Sequence, residues 1–484
     1  MYNNLKEDFV AYDNLRVFPY EITHIKDLKV ENGINNHAIL KMTGIIDDEF
    51  KDSYIERTID TTEITIYYET EGEDINIFKG VPTKIRVDVI EEVYTLSVEA
   101  ISYTYKMDLY KVKRDFQDTN MTTHELISEV METYRGAVYN INIPDEPIGK
   151  YILQYNETDY EFLKRIASFY NEPLITAMDY EGIHFYIGNP NLKIKPKAII
   201  TKYKIQKSIE EFYYALKNDR ESSEEADFIN YSIRTQEIYN VAEHFTFNNN
   251  ELYVKEAEYK VDEGKLENIY TLVPFNGMKV NRIYNSKIIG VSITGSILQV
   301  QRDRVRVNLE VGNKTESKSA YWFPYATVAA SPNGGGWYCM PEIGERIRLQ
   351  CPTKDESKAF VISSIDSYEG KSGEEAENDR MSNTDNKSLQ TAAGQEVNFT
   401  PNGINISSTG SQAVVELSKD GTVCITGQKD VNLACEQTLR LRAEEEIMIK
   451  AEENIDIQCE TGGRIVMSSG DEISITGTRI ANNG

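Results

Sequence analysis

Cysteine and long apolar runs are both scarce in this 484-residue sequence. It has five cysteines, an odd number, and no two of them have the C-x-x-C spacing of metal and redox sites. Sparse cysteine is typical of a chain that folds in a reducing compartment. No apolar run approaches the roughly 20 residues that cross a bilayer. The opening residues, MYNNLKEDFVAYDNL, lack a basic stretch followed by an apolar one. We therefore expect synthesis in the cytoplasm without a signal peptide.

Basic residues are also in deficit, with 52 Lys and Arg against 78 Asp and Glu, a formal net charge of −26. Nucleic acids and anionic membranes need clustered cations, so this balance argues against both as partners. The five histidines are dispersed from His24 to His244 without ligand spacing, so we expect no metal site and no cofactor. Forty percent apolar residues can build cores, and the length predicts two to four domains.

Recognisable catalytic motifs are absent, and the sequence predicts that the chain is not an enzyme. It contains no G-x-S-x-G motif and no Cys/His arrangement of nucleophile and base. Gly334–Gly336 lie between expected strands, where they indicate a turn and not a phosphate-binding loop. The acidic run Glu444–Glu446 is most simply a solvated corner. With 78 carboxylates, no pair stands out as glycosidase-like.

Residues 1–285 are predicted to mix strands with a few helices. Apolar residues alternate at Ile85, Val87 and Val89, as in a half-buried strand. Two helices are expected to begin at capping boxes, where a Thr is followed three residues later by a Glu. These boxes are Thr122-x-x-Glu125 and Thr158-x-x-Glu161.

Residues 286–367 have an all-β pattern. Val305, Val307 and Leu309 alternate with polar residues, and a second alternating run spans residues 347–351. Short strands over about 80 residues suit a small Greek-key barrel such as an OB-fold. The polar stretch 368–386 is expected to be a linker.

Residues 387–484 contain a repeat in which an apolar–x–apolar triplet recurs every eight residues. A Gly462-Gly463 pair inserts two residues before the pattern resumes. The marked positions are Val415, Leu417, Val423, Ile425, Val431, Leu433, Leu439, Leu441, Ile447, Ile449, Ile455, Ile457, Ile465, Met467, Ile473 and Ile475. At 40% apolar composition, chance would fill the first twelve with odds of about 2 in 100,000.

The octads predict short strands and not a helix. Residues two apart lie about 200° apart around a helix, so this pattern would give no apolar stripe. Strands with a corner every eight residues satisfy it, as in a β-helix. One such ribbon has too few apolar side chains to enclose a core, whereas three chains wound about one axis can do so. We expect these sixteen residues to form the core of a trimeric needle.

Three segments carry a resemblance to a known family. LQYNETDYEFLKRIASFYNEPLITAMDYEGIHFYIG (residues 153–188) is similar to its Q-x-x-E-T-D-x-x-F-L-x-R motif. DRVRV and YWFPYATVAASPNGGGWYCMPEIGERIRL (303–307 and 321–349) are similar to its barrel, and LQTAAGQEVNFTPNGINI (389–406) to the start of its needle. In this order they resemble the VgrG family of type VI secretion, the late control D proteins of contractile-tailed phages and the spikes of R-type bacteriocins.

The resemblance implies a mainly β fold with a few helices. Its parts would be a β-barrel hub facing the tube (1–285), an OB-fold barrel (286–367), the linker (368–386) and an intertwined triple-stranded β-helix needle (387–484). The family's hub has two related barrels in each chain, so three chains present six similar units to a six-fold tube. The needle punctures a cell envelope when the sheath contracts.

The partners implied are further copies of the chain in a homotrimer, tail tube or tube-initiator ring proteins, and baseplate wedge proteins. A PAAR-like tip cap and the target cell envelope complete the set, and nucleic acid is excluded. The finished protein is expected in an assembled tail or baseplate particle. Two other classes remain open from the sequence. One is an enzyme of the cell envelope, either a β-helical polysaccharide lyase or a wall hydrolase. The other is a trimeric receptor-binding fibre, although the chain ends on a repeat and not on a bulky head.

Overall fold

The structure is a computed structural model that falls into two units, Met1–Asp366 and Ser367–Gly484. It describes residues 14–69, 74–190, 192, 194–196, 200, 202–218, 220, 222–262, 265–312, 317–327, 338–362, 383–467 and 473–479. Among these residues, no helix is both long and apolar enough to cross a membrane. Each unit is described by itself below.

The described part of the first unit starts with six strands and one short helix. They are β1 (Leu15–Phe18), β2 (His24–Gly33), β3 (Ile39–Ile46), α1 (Ser53–Arg57), β4 (Ile64–Tyr68), β5 (Ile75–Ile90) and β6 (Val93–Ser102). All neighbouring strands pair antiparallel, in the order β1-β4-β5-β6-β3-β2. Alternate residues such as Leu40 and Met42 are buried, which is the period expected of a sheet with one face on a core.

An α/β region follows, and both of its helices begin at the predicted capping boxes. Its elements are β7 (Lys111–Phe116), α2 (Thr123–Met131), β8 (Val138–Ile141), β9 (Ile152–Thr158), α3 (Asp159–Ser168), β10 (Leu174–Thr176) and β11 (His184–Ile187). Each N-cap Thr accepts a hydrogen bond from the backbone of the Glu three residues later, whose side chain binds the Thr backbone in return. The apolar faces of both helices share one core with β10 and β11.

A second set of strands extends the first sheet. Its elements are β12 (Tyr203–Lys207), α4 (Ile209–Lys217), β13 (Ile229–Thr235), β14 (His244–Phe247), β15 (Asn250–Asp262) and β16 (Lys265–Val273). The strand order continues from β2 through β15-β16-β13-β12, and β14 pairs with β15. Eleven strands therefore form one sheet, and the pairing of β2 with β15 joins its two halves. A single large core covers both halves.

The first unit ends in a small barrel of five strands. They are β17 (Ser292–Gln301), β18 (Arg304–Leu309), β19 (Phe323–Pro324), β20 (Arg346–Gln350) and β21 (Phe360–Ile362). Their order is β19-β18-β17-β20-β21, and a bridge between Tyr325 and Val361 brings the two ends together into a nearly closed barrel. The predicted alternation is confirmed, since Val305, Val307 and Leu309 are all buried in its core.

The second unit contains two antiparallel sheets. The first is formed by β22 (Lys387–Gln390), β23 (Glu396–Thr400), β24 (Gly403–Ser407), β25 (Ala413–Ser418) and β26 (Val423–Gly427); the second is formed by β27 (Ile455–Cys459), β28 (Gly462–Met467) and β29 (Ile473–Thr476). Residues 428–454 are described throughout and contain neither helix nor strand. The backbone bends at 428–429, 436–437, 444–445 and 452–453, so the octad period is visible in its corners.

Short 3-10 helices connect several elements. They are Asp48–Phe50, Tyr103–Met107, Glu225–Phe228, Phe275–Met278, Ser286–Ile288, Glu356–Lys358 and Thr409–Ser411. The expectation of a mainly β fold with a few helices and an OB-like barrel is confirmed. Intertwining of three chains is a property of an assembly and stays a prediction.

Candidate functional site

Two features of the chain could serve the function that the resemblance implies. The first is the joint between the α/β region of the hub and the barrel, both of which lie within the first unit. The second is the apolar ribbon, defined as the sixteen octad positions of the second unit. No group of three or more His, Cys, Asp or Glu in the described part of the chain is arranged to hold a metal ion.

Asp159 organises the α/β region that carries the joint. Its side chain is almost completely buried, and Arg114 binds both of its oxygens, at 2.7 and 3.2 Å. Tyr134 donates to it at 2.8 Å, and Gln154 Nε2 donates to it at the same distance. Burial, followed by this carboxylate, raises the pKa of the Tyr134 hydroxyl. Gln154 and Asp159 are the Q and the D of the Q-x-x-E-T-D motif. Their bonds, together with Arg114, hold strands β7 and β9 to the start of α3.

Arg165 connects the hub directly to the barrel. Its guanidinium is fully buried and binds both oxygens of Glu157 at 2.8 Å, while Nη2 also donates to the Leu153 carbonyl at 2.9 Å. Nη1 donates to Glu356 Oε1 at 2.8 Å, and Glu356 lies in a 3-10 turn of the barrel. Since the second carboxylate comes from the barrel, the buried cation is fully bonded only when hub and barrel are docked.

Beside this ion pair, three cations alternate with two aromatic rings. These five side chains, Lys150, Phe169, Arg282, Tyr284 and Lys354, are called the ladder. Lys150 Nζ is 3.9 Å from the centroid of Phe169, and the Arg282 guanidinium carbon is 4.6 Å from the same ring. Arg282 also lies 5.2 Å from Tyr284, whose ring is 4.2 Å from Lys354 Nζ. Burial, and then the neighbouring Arg282 charge, lower the pKa of Lys150. The ladder links the hub, the connecting segment and the barrel loop through cation–π contacts.

A third contact lies at the end of β7. The Tyr321 backbone N–H donates to Gln117 Oε1 at 3.2 Å, across 204 residues of sequence. Gly312 has φ +71°, and a Cβ there would lie 3.2 Å from Arg114 Cα, so glycine suits both the conformation and the close approach. Burial raises the pKa of the nearby Asp115 carboxyl to about 6, although Gln117 donates to it at 2.6 Å.

Sequence reasoning did not find this joint. The apolar face of α3, at Phe162 and Ile166, lies in the core of the α/β region, and Phe169 packs against the same core just after the helix. Arg165 follows Phe162 by three residues and so shares that face. A cation on an apolar face is the signal that could have indicated a buried partner carboxylate. It could not have identified Glu356, because that residue is remote in sequence.

The apolar ribbon is exposed in the single chain. Fourteen of its sixteen residues are exposed, with values such as 64% for Leu441 and 65% for Ile473, and Val415 and Ile455 are half-buried. A surface of this kind is unusual for a soluble chain without a partner. The neighbouring Glu444–Glu446 run is exposed as well.

The strand registers place many ribbon residues on common faces. Val415 lies opposite Ile425, and Leu417 lies opposite Val423. The second sheet has the corresponding pairs Ile455–Met467, Ile457–Ile465, Ile465–Ile475 and Met467–Ile473. Directly opposite residues point to the same side of a sheet. The ten ribbon residues in strands thus form two apolar faces. The other six, Val431, Leu433, Leu439, Leu441, Ile447 and Ile449, lie in the bent stretch.

The comparison with protein families decides the nature of the barrel. Residues 293–365 match the Type VI secretion system/phage-baseplate injector OB domain. The barrel is therefore similar to an injector OB domain. A comparison with curated proteins gives no match to the chain.

Solved structures share the fold over most of the chain. The E. coli c3393 protein, described as a type VI secretion component similar to the T4 tail proteins gp27 and gp5, matches with a TM-score of 0.51 and 10% identity, covering 73% of this chain and 99% of its own. The half-lidded Francisella PdpA–VgrG complex matches with a TM-score of 0.52 and 9% identity, covering 83% of each chain. The chain has a VgrG-like fold.

The resemblance found in the sequence is therefore confirmed. The domain match is to a structural part of secretion-system and phage-baseplate injectors, and the solved structures share the fold. The prediction that the chain is not an enzyme agrees with these matches. At about 10% identity the similarity shows the fold alone, so the assembly and its partners are matters for proposal.

Proposed function

We propose that the chain is the homotrimeric central hub and envelope-puncturing spike of a contractile injection machine. The hub would meet a six-fold tube, the injector OB domain would join hub to needle, and the second unit would form the three-fold needle. The observation that carries this proposal is the exposed ribbon, whose apolar residues recur every eight positions through the second unit.

Association of three chains gives those residues a core. Each octad contributes two apolar side chains, too few to bury one another within one chain. Burying a Leu or Ile completely stabilises by roughly 1.5–3 kcal/mol, so fourteen exposed residues in each chain are a strong driving force for association. Three chains about one axis also give the free strand edges partners.

The joint supports a mechanical role for the first unit. A spike transmits thrust from the tube to its tip, so hub and barrel must move together. Arg165 with Glu356, the ladder and the Gln117–Tyr321 contact join them at three places. Buried, fully bonded ion pairs fix geometry more than they add stability, which suits a rigid coupling.

The remaining partners follow from this role. We infer tail tube or tube-initiator ring proteins on the hub, baseplate wedge proteins around it and a PAAR-like cap on the needle tip. The target cell envelope would be met on firing, and the working location is the assembled particle. We infer no nucleic-acid partner, since the net charge is −26.

Light scattering on the purified chain tests the trimer. We expect the mass of three chains for the full length. A chain stopped at Asp366, the end of the first unit, should trimerise more weakly. A monodisperse monomer of the full chain at micromolar concentration would contradict the proposal. Electron microscopy of the trimer should then show a needle projecting from a wider head.

A further inference from the structure

A polar cavity of about 370 Å³ lies in the hub, within the first unit. Its walls come from the turn after α3, from the segment between α4 and β13, and from the 3-10 turn after β16 with the residue that follows it. Arg220, Ser222 and Ser223 lie on the second wall, and Asn276 and Lys279 lie on the third. The described lining is entirely polar or charged, so the cavity suits a polar ligand.

Arg220 is a buried cation in the wall of this cavity, with 7% of the residue exposed. Its Nη1 donates to the Lys279 carbonyl at 3.1 Å, and its Nη2 donates to the Asn276 carbonyl at 3.2 Å. The guanidinium carbon is also 5.2 Å from the centroid of the Phe228 ring. Because the two acceptors are neutral carbonyls, these bonds fix the position of the guanidinium without compensating its charge.

The positive charge of the cavity has no paired carboxylate. Neither Arg220 nor Lys279 forms an ion pair with another residue in the described part of the chain. Burial lowers the pKa of the Arg220 guanidinium, and the Asp227 and Glu172 carboxylates offset that effect only in part. One oxygen of Asp227 already accepts from the Glu224 backbone N–H at 2.9 Å.

The buried guanidinium of Arg165 shows how the same chain compensates such a charge. Arg165 binds two carboxylates, Glu157 and Glu356, each at 2.8 Å. Buried charges in proteins are ordinarily paired in this way, because an unpaired one loses its hydration without replacement. The absence of a carboxylate partner for Arg220 among the described residues therefore indicates that an anion from outside the chain completes the site.

The rest of the lining offers further donors on the same walls. The hydroxyls of Ser222 and Ser223 make no hydrogen bond to a described residue, and the Lys279 ammonium adds a second cation. The Ser223 N–H donates to the Arg220 carbonyl at 3.1 Å, so a tight turn places the serines beside the guanidinium. Guanidinium, ammonium and hydroxyl groups are the donors with which proteins bind phosphate and carboxylate oxygens.

The two walls are held together closely. A Cβ on Gly277 would lie 2.7 Å from the Asp227 carbonyl oxygen, so only glycine allows the 3-10 turn after β16 to approach this segment. The donors are therefore positioned before a ligand arrives, which lowers the conformational entropy lost on binding.

We propose that this cavity is an oxyanion-binding site, in which Arg220 is the main ligand and Lys279, Ser222 and Ser223 are supporting donors. The oxyanion is either free phosphate or the carboxylate of an acidic side chain from another protein, because both present their oxygens to a guanidinium in the same way. The site goes beyond the proposed function and does not depend on the trimer, since every lining residue named belongs to one chain.

Calorimetric titration of the full chain at pH 7 tests the site with two probes. The first probe is inorganic phosphate, measured against sodium chloride of equal ionic strength to remove the general effect of salt. The second is the blocked tripeptide acetyl-Ala-Glu-Ala-amide, with its Gln counterpart as the reference. We expect saturable binding of one oxyanion per chain. The same probe should raise the unfolding temperature, because a ligand that binds only the folded state stabilises it.

The two probes distinguish the sources of the oxyanion. Saturable binding of phosphate alone would identify free phosphate as the ligand. A Glu tripeptide that binds and competes with phosphate, while the Gln tripeptide does neither, would identify a protein carboxylate. If neither phosphate nor the Glu tripeptide binds to the folded chain at millimolar concentration, the proposal is overturned.

The variant Arg220→Gln tests the assignment of the main ligand. It should weaken binding about tenfold or more, because it removes a charged donor. The matched control Arg234→Gln removes the same charge from an exposed side chain of β13, which is paired with Glu267 at 3.4 Å. The control should bind like the native chain. Equal affinities of a folded Arg220→Gln variant and the native chain would overturn the site.

A second variant carries the test if Arg220→Gln does not fold. Ser222→Ala/Ser223→Ala/Lys279→Gln changes side chains that are exposed or half-buried, and the Arg220 bonds to backbone carbonyls can persist. It should weaken binding several-fold, and an unchanged affinity would overturn the assignment.

Hydrogen exchange locates the bound oxyanion. The probe that binds should slow exchange in residues 222–228 and 276–280, which form two walls of the cavity. Slower exchange confined to other segments would place the oxyanion elsewhere and overturn the proposal.

Discussion

Arg165 and Glu356 are 191 positions apart in the sequence, yet Nη1 of the first donates to Oε1 of the second at 2.8 Å. Both side chains are almost completely removed from solvent. Glu157 binds the opposite edge of the same guanidinium, so one buried cation lies between two carboxylates. Through this contact helix α3 of the hub helps to fix the orientation of the barrel.

Breaking that ion pair should destabilise the first unit. We expect Glu356→Gln to cost about 3–5 kcal/mol, since it removes one of two charges that compensate a buried guanidinium. Urea unfolding followed by tryptophan fluorescence measures the change. The matched control is Lys287→Met, which removes an exposed partner of Glu161 at 2.9 Å and should cost about 0–1 kcal/mol. Equal effects of the two substitutions would mean that the joint is not buried in solution.

The needle assignment predicts opposite results for two neighbouring substitutions. Ile447→Asp should abolish or strongly weaken trimer formation, because it would bury three unpaired carboxylates on one axis. Ile447 is 52% exposed in the single chain, so the fold of the first unit should be unaffected. Glu445→Ala, at an outward corner, should be nearly silent. Sedimentation velocity on both variants measures the fraction of trimer. Comparable losses of trimer would mean that the ribbon residues do not face the needle axis.

The Asp115 carboxyl should make stability pH-dependent. Burial raises its pKa from 3.8 to about 6, so the folded chain holds this proton over a pH range in which the unfolded chain has released it. Stability from this group is therefore fully present below about pH 4 and falls as the pH rises through about 6. Asp115→Asn keeps the shape and an acceptor for Gln117, and it should raise the unfolding temperature at pH 7.

Measurements at several pH values distinguish the Asp115 carboxyl from the other titrating groups of the chain. Between pH 7 and pH 4 the advantage of Asp115→Asn over the native chain should shrink, since the native carboxyl becomes neutral. Differential scanning calorimetry at four pH values provides the comparison. An advantage that stays constant with pH, or grows toward pH 4, would contradict the shifted pKa.

The two helix caps should differ in strength. The hydroxyls of Thr158 and Thr122 each accept from a backbone N–H, and each also contacts a carboxylate, Asp108 for Thr158 and Asp145 for Thr122. Thr158 is buried whereas Thr122 is half-buried, so water replaces the lost contacts less well at Thr158. Removing a cap typically costs about 1 kcal/mol. We therefore expect Thr158→Ala to cost more than Thr122→Ala, as measured by hydrogen exchange in α3 and α2. The reverse order would show that the Asp108 contact does not stabilise α3.

Local pattern was sufficient for much of the fold. Both capping boxes begin helices, because a Thr and a Glu three residues apart satisfy the same two backbone groups in any context. The alternation at Val305, Val307 and Leu309 gave the correct buried face, since successive side chains of a strand point to opposite sides. The eight-residue period also survives as backbone bends at 436–437 and 444–445.

Long-range relationships were not accessible from the sequence. Nothing local indicates that Arg165 meets Glu356, because 78 acidic residues offer many equivalent partners. The joining of the two hub halves through β2 and β15 likewise depends on register across more than 200 residues, and only the folded backbone fixes that. Strand pairing between distant segments is decided by the whole sheet and its core, not by the propensity of either strand.

The sequence by itself determined the fold class, the helix starts and the apolar ribbon, since these follow from spacing along the chain. Tertiary structure decided how the two halves of the hub sheet join and which carboxylate compensates the buried guanidinium. The reason is physical: periodicity records which side of an element is apolar, whereas partner choice depends on distances that exist only after the chain has folded. The exposed ribbon depends on both sequence and tertiary structure. The sequence spaces its apolar residues, and the single folded chain leaves them exposed.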